Sequence, residues 1–347
     1  MVLSSKKKCV KVQFFSDEGL MSMKRRLCSA LLTLPWLWLG LCGPATAQSF
    51  PTRPVRIIVP FPPGGATDVV ARTLGARLSQ LWKHPVVIEN KPGGGGNIGA
   101  DAVAKAEGDG YTLLLASPAE ITINPHLYAK LPFDPVKDFV PVMRVASAPL
   151  VLTVNSKSVF KRPQDLVKQS VADARGLSYA SSGTGGPQHL AGELFRVITQ
   201  GNFVHIPYKG GSPAIADLLG EQVDFFFAVV PPALPHLNSG RLRAIAVTTE
   251  TRSQLLPSVP TLSESGYPGF QIENWQGLFA PRATPQRIVD QIAADSRTVM
   301  ADNTFRETLN ASGASPAVLM PKEFDAFVKS ESSKFSRLVK ESGAKAD

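Results

Sequence analysis

Apolar strands and amphipathic helices alternate from residue 55 onward. VRIIVPF (55–61) is a continuous apolar run of the kind that fills a buried strand. ATDVVARTLGARLSQLW (66–82) follows, with Val70, Leu74, Leu78, Leu81 and Trp82 recurring at helical spacing. VVIEN (86–90), a glycine-rich turn, a helix near 97–106 and YTLLLAS (111–117) complete a βαβαβ series. Such a series predicts a largely parallel sheet with helices on both faces.

VMRVASAPLVLTVN (142–155) is a β stretch long enough to cross between two bodies. The alternation then resumes with a helix after Arg162-Pro163, strand LSYASS (177–182), helix 187–199, strand FVHIPY (203–208), helix 212–220 and strand VDFFFAVV (223–230). LRAIAVTT (242–249) and ENWQGLFAP (273–281) predict two more strands, and the tail reads as helices at 285–300, 303–313 and 321–343. The economical arrangement is two α/β lobes, with a ligand cleft that collects the carboxyl ends of strands from both.

The first 47 residues differ in kind. From Met23 a basic segment (Lys24, Arg25, Arg26), an apolar core and Ala45-Thr46-Ala47 before Gln48 read as a secretory signal peptide, with Met21 or Met23 as alternative starts. A membrane anchor fits less well, because the run from Leu27 to Gly43 falls short of the ~20 residues a spanning helix needs and Pro35 interrupts it. All three cysteines, Cys9, Cys28 and Cys42, precede the expected cleavage near Ala47, so the mature chain is expected to have no disulfide and no thiolate chemistry. The leader also holds seven Lys/Arg against two Asp/Glu, so a net charge of +9 falls to +4 without it. With 44% hydrophobic and 19% charged residues, the chain has the profile of a globular protein. Its mild basicity predicts no nucleic-acid partner.

Three glycine-bearing turns follow strands. In the first, Phe61, Pro62, Pro63, Gly64 and Gly65 lead into Ala66, Thr67 and Asp68 at a helix start, where free N–H groups and the positive dipole end favour an anion. Asp68 reads either as a helix cap or as a ligand contact. The second turn, KPGGGGNIGAD (91–101), contains Gly94-x-Gly96-x-x-Gly99. It matches a dinucleotide fingerprint formally, yet it follows the second strand rather than the first, and Glu120 falls late for a ribose-binding acid. A tight turn is the better reading. The third places Ser181, Ser182, Gly183 and Thr184 before another helix, so each lobe presents a glycine-bearing helix start and together they suit a ligand with carboxylates.

Enzyme signatures are weak. There is no G-x-S-x-G elbow, Ser158 and Lys161 form an isolated S-x-x-K, and the five histidines show no H-E-x-x-H spacing. No metal and no cofactor is expected. His189 reads as a ligand contact, a cap or a surface residue, and His205 as a packed strand residue. Ser117, Tyr208 and Asp224 lie where strands end or begin and join the candidates; Lys209 reads as solvated, Phe225, Phe226 and Phe227 as mostly core, and Trp275 as a roof or an inter-lobe contact.

PTRPVRIIVPFPPGGATDVVARTLGARLSQ, VVIENKPGGGGNIGADAVAKAEGDGYTLLLAS, SYASSGTGGPQHLAGELF, HIPYKGGSPAIADLLGEQVDFFF and LRAIAVTT closely resemble, in order and across the mature chain, the Bug family of periplasmic receptors for tripartite tricarboxylate transporters. The resemblance implies a two-lobed type 2 periplasmic-binding-protein fold, with lobe 1 from 50–147 plus 250–347 and lobe 2 from 148–249. It implies a monomer that closes on an organic acid or carboxylated aromatic compound and delivers it to a permease of one large and one small subunit. It also implies that Phe61, Pro62, Gly64, Gly65, Thr67 and Asp68, with Ser181, Ser182, Gly183 and Thr184, hold a carboxylate. Ser117, His189, Tyr208 and Asp224 are further members of that set. The competing functions are a receptor for a membrane sensor kinase, which shares these motifs, and a secreted hydrolase using Ser181, Ser182 or His189.

Overall fold

The computed structural model describes residues 50–346, which fall within one compact unit; the expected signal peptide, its cleavage site and the three cysteines lie outside the described residues. β1 (Val55–Val59), β2 (Val86–Asn90) and β3 (Thr112–Ala116) run parallel with β1 in the middle, linked by α1 (Ala66–Trp82) and α2 (Asn97–Ala104). A π-type turn at Ala119–Ile123 runs into the short α3 (Asn124–Leu127). β4 (Phe139–Asn155) follows, 17 residues long and mostly buried.

Beyond β4 come α4 (Pro163–Ala172), β5 (Leu177–Ser181), α5 (Pro187–Thr199), β6 (Phe203–Pro207), α6 (Gly211–Leu219), β7 (Phe225–Val229), α7 (Val230–Asn238) and β8 (Leu242–Val247). The chain ends with β9 (Glu273–Pro281), α8 (Gln286–Ala301), α9 (Asn303–Ala311), β10 (Ser315–Leu319) and α10 (Pro321–Ser342). β4 belongs to two sheets. Its Phe139–Pro149 half pairs antiparallel with β9, which itself joins β3, and its Leu150–Asn155 half pairs with β7 and β8. β5 lies parallel between β7 and β6. The parallel βαβ units therefore form the outer part of each sheet, and the long antiparallel β4 stitches the two together.

Several elements were not apparent in the sequence pattern, the short α3 among them. α7 is written VPPALPHLN, and its first prolines occupy the opening turn, where an amide donor has no helical partner to lose. β10 is a short edge strand on β4, and the π-type turn has no periodicity of its own.

Candidate functional site

Four of the helices that follow parallel strands begin at a glycine that offers no capping side chain: Gly65 before α1, Gly96 before α2, Gly186 before α5 and Gly210 before α6. Elsewhere a side chain does this work, as where Asp302 accepts from the Phe305 N–H at the start of α9. A glycine cap leaves first-turn amides without a side-chain acceptor, and the helix dipole favours an outside one with negative charge; at α2 the Asn97 and Ile98 N–H groups already donate to Gly94 O and Gly93 O.

The first loop is held from beneath by Asp68. Its carboxylate, buried at 2% exposure, accepts from Gly64 N–H (2.9 Å), Arg72 Nε (2.9 Å) and Asn90 Nδ2 (2.9 Å), while Asn90 also donates to Phe61 O (3.0 Å). Burial alone would push its pKa up, but the hydrogen bonds from Arg72, Gly64 and Asn90, with the Arg72 charge, hold it below the usual carboxylate value. Asp68 thus shapes the loop and has little capacity left for a ligand. Gly64 needs its glycine, since φ is +81°.

The third loop rests on a stack of rings. His189 and His205 lie face to face with centroids 4.0 Å apart, and Tyr179 stacks on the other side of His205 at 5.0 Å. Ser181 Oγ lies 3.0 Å from Gly183 O and 2.6 Å from His205 Nε2, so its one proton serves one of them, and His205 is the donor when Gly183 takes it. His189 Nδ1 accepts from Gly185 N–H (3.3 Å), which a neutral ring does. Burial pushes His189 down to about 4 and, with the neighbouring His189, His205 down to about 3. Tyr179 donates to Glu193 Oε1 (2.8 Å), whose other oxygen pairs with Arg196 (2.7 Å).

A serine 2.6 Å from a histidine resembles a nucleophile and its base. The surroundings do not support that chemistry. Ser181 is fully buried, and among the described residues no carboxylate hydrogen-bonds to His205 to orient it.

The loops of the two sheets meet. A Cβ at Gly96 would lie 3.4 Å from the Phe61 ring and 3.1 Å from Glu120 Oε2, and one at Gly95 would lie 3.3 Å from Thr184 O. A Cβ at Gly185 would lie 2.5 Å from Asn124 Oδ1. Phe61, the 94–96 turn, Asn124 and the Thr184–Gly185 segment therefore form one continuous contact from one sheet's loops to the other's. Glu120 is buried beneath it, accepting from Ser117 N–H (2.9 Å) and Ser117 Oγ (2.8 Å). Burial, only partly offset by those hydrogen bonds, raises its pKa to about 7.

Of the residues singled out from the sequence, the structure brings Phe61, Ser117 and the Thr184 loop to this junction, and Pro62, Gly64, Gly65, Thr67 and Asp68 sit on the loop that carries Phe61. Ser182 and Gly183 lie between Ser181 and Thr184, with Gly210 N–H donating to Ser182 O (3.2 Å), and His189 supports the same loop from below. Asp224 must be corrected. It accepts from Ser178 N–H (2.7 Å) and Ser178 Oγ (2.8 Å) at the amino end of the parallel β5–β7 pair, the opposite edge from Ser181. The Tyr208 hydroxyl turns to Asp217 on α6 (2.7 Å), and that contact and burial raise its pKa to about 12. Trp275 roofs nothing: it is fully buried against Phe279, Phe324 and Phe327.

Sequence reasoning missed Asn124, Asn97 and Asn90, and took His205 as packing alone. The Gly99 of the fingerprint-like run proves to be a close-approach position, where a Cβ would come 2.7 Å from Pro60 Cα. Among the described residues no cluster of His, Cys, Asp or Glu could hold a metal ion, and no helix is long and apolar enough to cross a membrane.

Residues 70–344 match the family model described as "Tripartite tricarboxylate transporter family receptor" (TctC). Protein BugT of Bordetella pertussis is 38% identical over 307 residues, covering 88% of this chain and 94% of BugT. Among solved structures, an R. palustris protein with adipate superposes with a TM-score of 0.81 at 34% identity, covering 85% of this chain and 98% of that one. MatC from Rhodopseudomonas palustris with bound malate gives 0.77 at 31% identity, covering 84% and 100%.

Proposed function

The chain belongs to the tripartite tricarboxylate transporter receptor family, as a substrate-binding receptor, and from that premise we propose that it captures a small carboxylate between the glycine loops of its two sheets. The observation that carries this reading is the junction itself, where the turn before α2 meets the loop before α5 at Gly95 and Thr184, both helices starting at a glycine without a capping side chain. Backbone amides and ordered water can hold a carboxylate without an arginine clamp, because a bridging water is nearly as good enthalpically as a direct bond. The relatives solved with adipate and malate support an acid of this class.

The two sheets would act as the moving bodies, 50–147 with 250–347 against 148–249, hinged where β4 passes from one sheet to the other at Pro149–Leu150. Ligand shifts the population toward the closed form, which a membrane permease of one large and one small subunit reads. The receptor would work in the periplasm after its leader is cleaved near Ala47. The hydrolase alternative loses support because Ser181 is fully buried and, among the described residues, no carboxylate orients His205.

The test is a thermal unfolding screen of the mature protein against mono-, di- and tricarboxylates. A true ligand at 100 times its Kd adds about 2.7 kcal/mol of stability. A panel in which no acid raises the unfolding midpoint would refute the carboxylate reading.

A further inference from the structure

Asn124 sits where the two loops touch and is fully buried. Its Nδ2 donates to Gly95 O (3.0 Å) and to Asn97 Oδ1 (2.7 Å). Gly95 O can only accept, so the amide cannot be flipped without losing that bond, and both of its hydrogens are used. The orientation is therefore fixed, and Oδ1 faces the Gly185 backbone of the opposite loop. Among the described residues that oxygen is buried without any hydrogen-bond partner. The Gly185 N–H itself is committed to His189 Nδ1 (3.3 Å).

A buried carbonyl oxygen without a donor is costly, whereas the same oxygen is hydrated when the loops part. Closure over Asn124 is thus disfavoured until something supplies a hydrogen. The geometry points to Asn124 as a specificity-determining residue that selects a ligand carrying a hydrogen-bond donor, a hydroxyl beside its carboxylate, over the same acid without one. This inference rests on the carboxylate reading above and narrows it from carboxylates to hydroxy-carboxylates. Asn97 and Gly95 act as positioning partners, since they turn Oδ1 toward the gap. A glycine at 185 is required on the far side, because a Cβ there would occupy the space in front of the oxygen.

The experiment is calorimetric titration of the wild-type mature protein with matched 2-hydroxy, 2-oxo and 2-deoxy dicarboxylates of four, five and six carbons. The 2-oxo acids keep an oxygen at the same position but cannot donate. At the preferred chain length the 2-hydroxy acid is expected to bind about tenfold more tightly than either partner, the size of one unsatisfied buried polar group. Asn124→Ala should bring the three within about twofold of each other while still binding them. Equal affinities in the wild type, or discrimination that survives in a folded Asn124→Ala protein, would overturn this inference and leave the carboxylate reading standing. Binding of none of the acids would overturn both. The wild-type comparison decides the matter even if the variant does not fold.

Discussion

Gly65→Trp is expected to lower affinity for the preferred carboxylate by about a hundredfold, the equivalent of two charge-assisted hydrogen bonds at ~1.5 kcal/mol each, with the fold intact. Gly65 has φ −77° and ψ 168°, an extended conformation open to any residue. A Cβ there would meet only Pro62 O, at an ordinary 3.6 Å. The backbone therefore accepts a side chain, and the indole falls over the free amides that open α1. Neighbouring glycines would give a less clean test: Gly64 has φ +81°, and Gly99 would drive a methyl into Pro60. Calorimetry paired with a melting curve reads both halves of the expectation. Unchanged affinity in a folded variant would remove the α1 N-terminus from the site.

Acidification is expected to produce the largest change in stability. His189 is buried and His205 half-buried, their rings lie 4.0 Å apart, and each has a folded-state pKa below the 6.5 of an ordinary imidazole. Unfolded chains take up these protons near pH 6.5, whereas the folded protein resists until about 4 and about 3. The pair's stabilisation is therefore complete above pH 6.5 and declines as pH falls, at about 1.4 kcal/mol per group per pH unit. Glu120 opposes this, because its pKa is raised from 4.5 to about 7; its contribution is full below 4.5 and is lost as pH rises through 7. Between pH 4.5 and 6.5 two histidines outweigh one glutamate, so the unfolding midpoint should fall on acidification across that window.

Geometry gives the same sign. A proton on His189 Nδ1 would confront the Gly185 N–H, and a second on His205 would place two cations in one stack. Tyr179 contributes no compensating charge, since burial and Glu193 raise its hydroxyl pKa, and only Glu193 favours the charged form of His205. His205→Gln keeps a donor for Ser181 and should leave the midpoint nearly level between pH 4.5 and 6.5, because the remaining histidine and Glu120 then contribute about one proton each with opposite sign. A midpoint that stays level from pH 6.5 to 4.5 in the wild type would contradict the neutral-pair description.

Element type was legible wherever periodicity was strong and a glycine or proline marked the edge. α1, β2, α5 and β9 occupy the residues their patterns mark, because apolar spacing and chain punctuation agree there. α7 was hidden because prolines read as breakers when they sit in a first turn that tolerates them. The glycine loops were also visible as anion-binding turns, since their backbone chemistry is local. The residues between them were not. Asn124 and Gly185 are 61 positions apart and share no motif, and only the packing of one sheet's loops against the other's reveals an oxygen without a donor. Asp224 misled for the converse reason: it borders an apolar strand, but which end of that strand faces the cleft depends on its register with β5.

A crystal structure of the mature protein grown with its best-binding acid tests the two-jaw carboxylate site most directly. One carboxylate of the ligand should lie within hydrogen-bond reach, directly or through water, of the backbone amides of residues 64–67 and 182–186 together. A ligand held by one loop alone, or bound away from both helix starts, would contradict it.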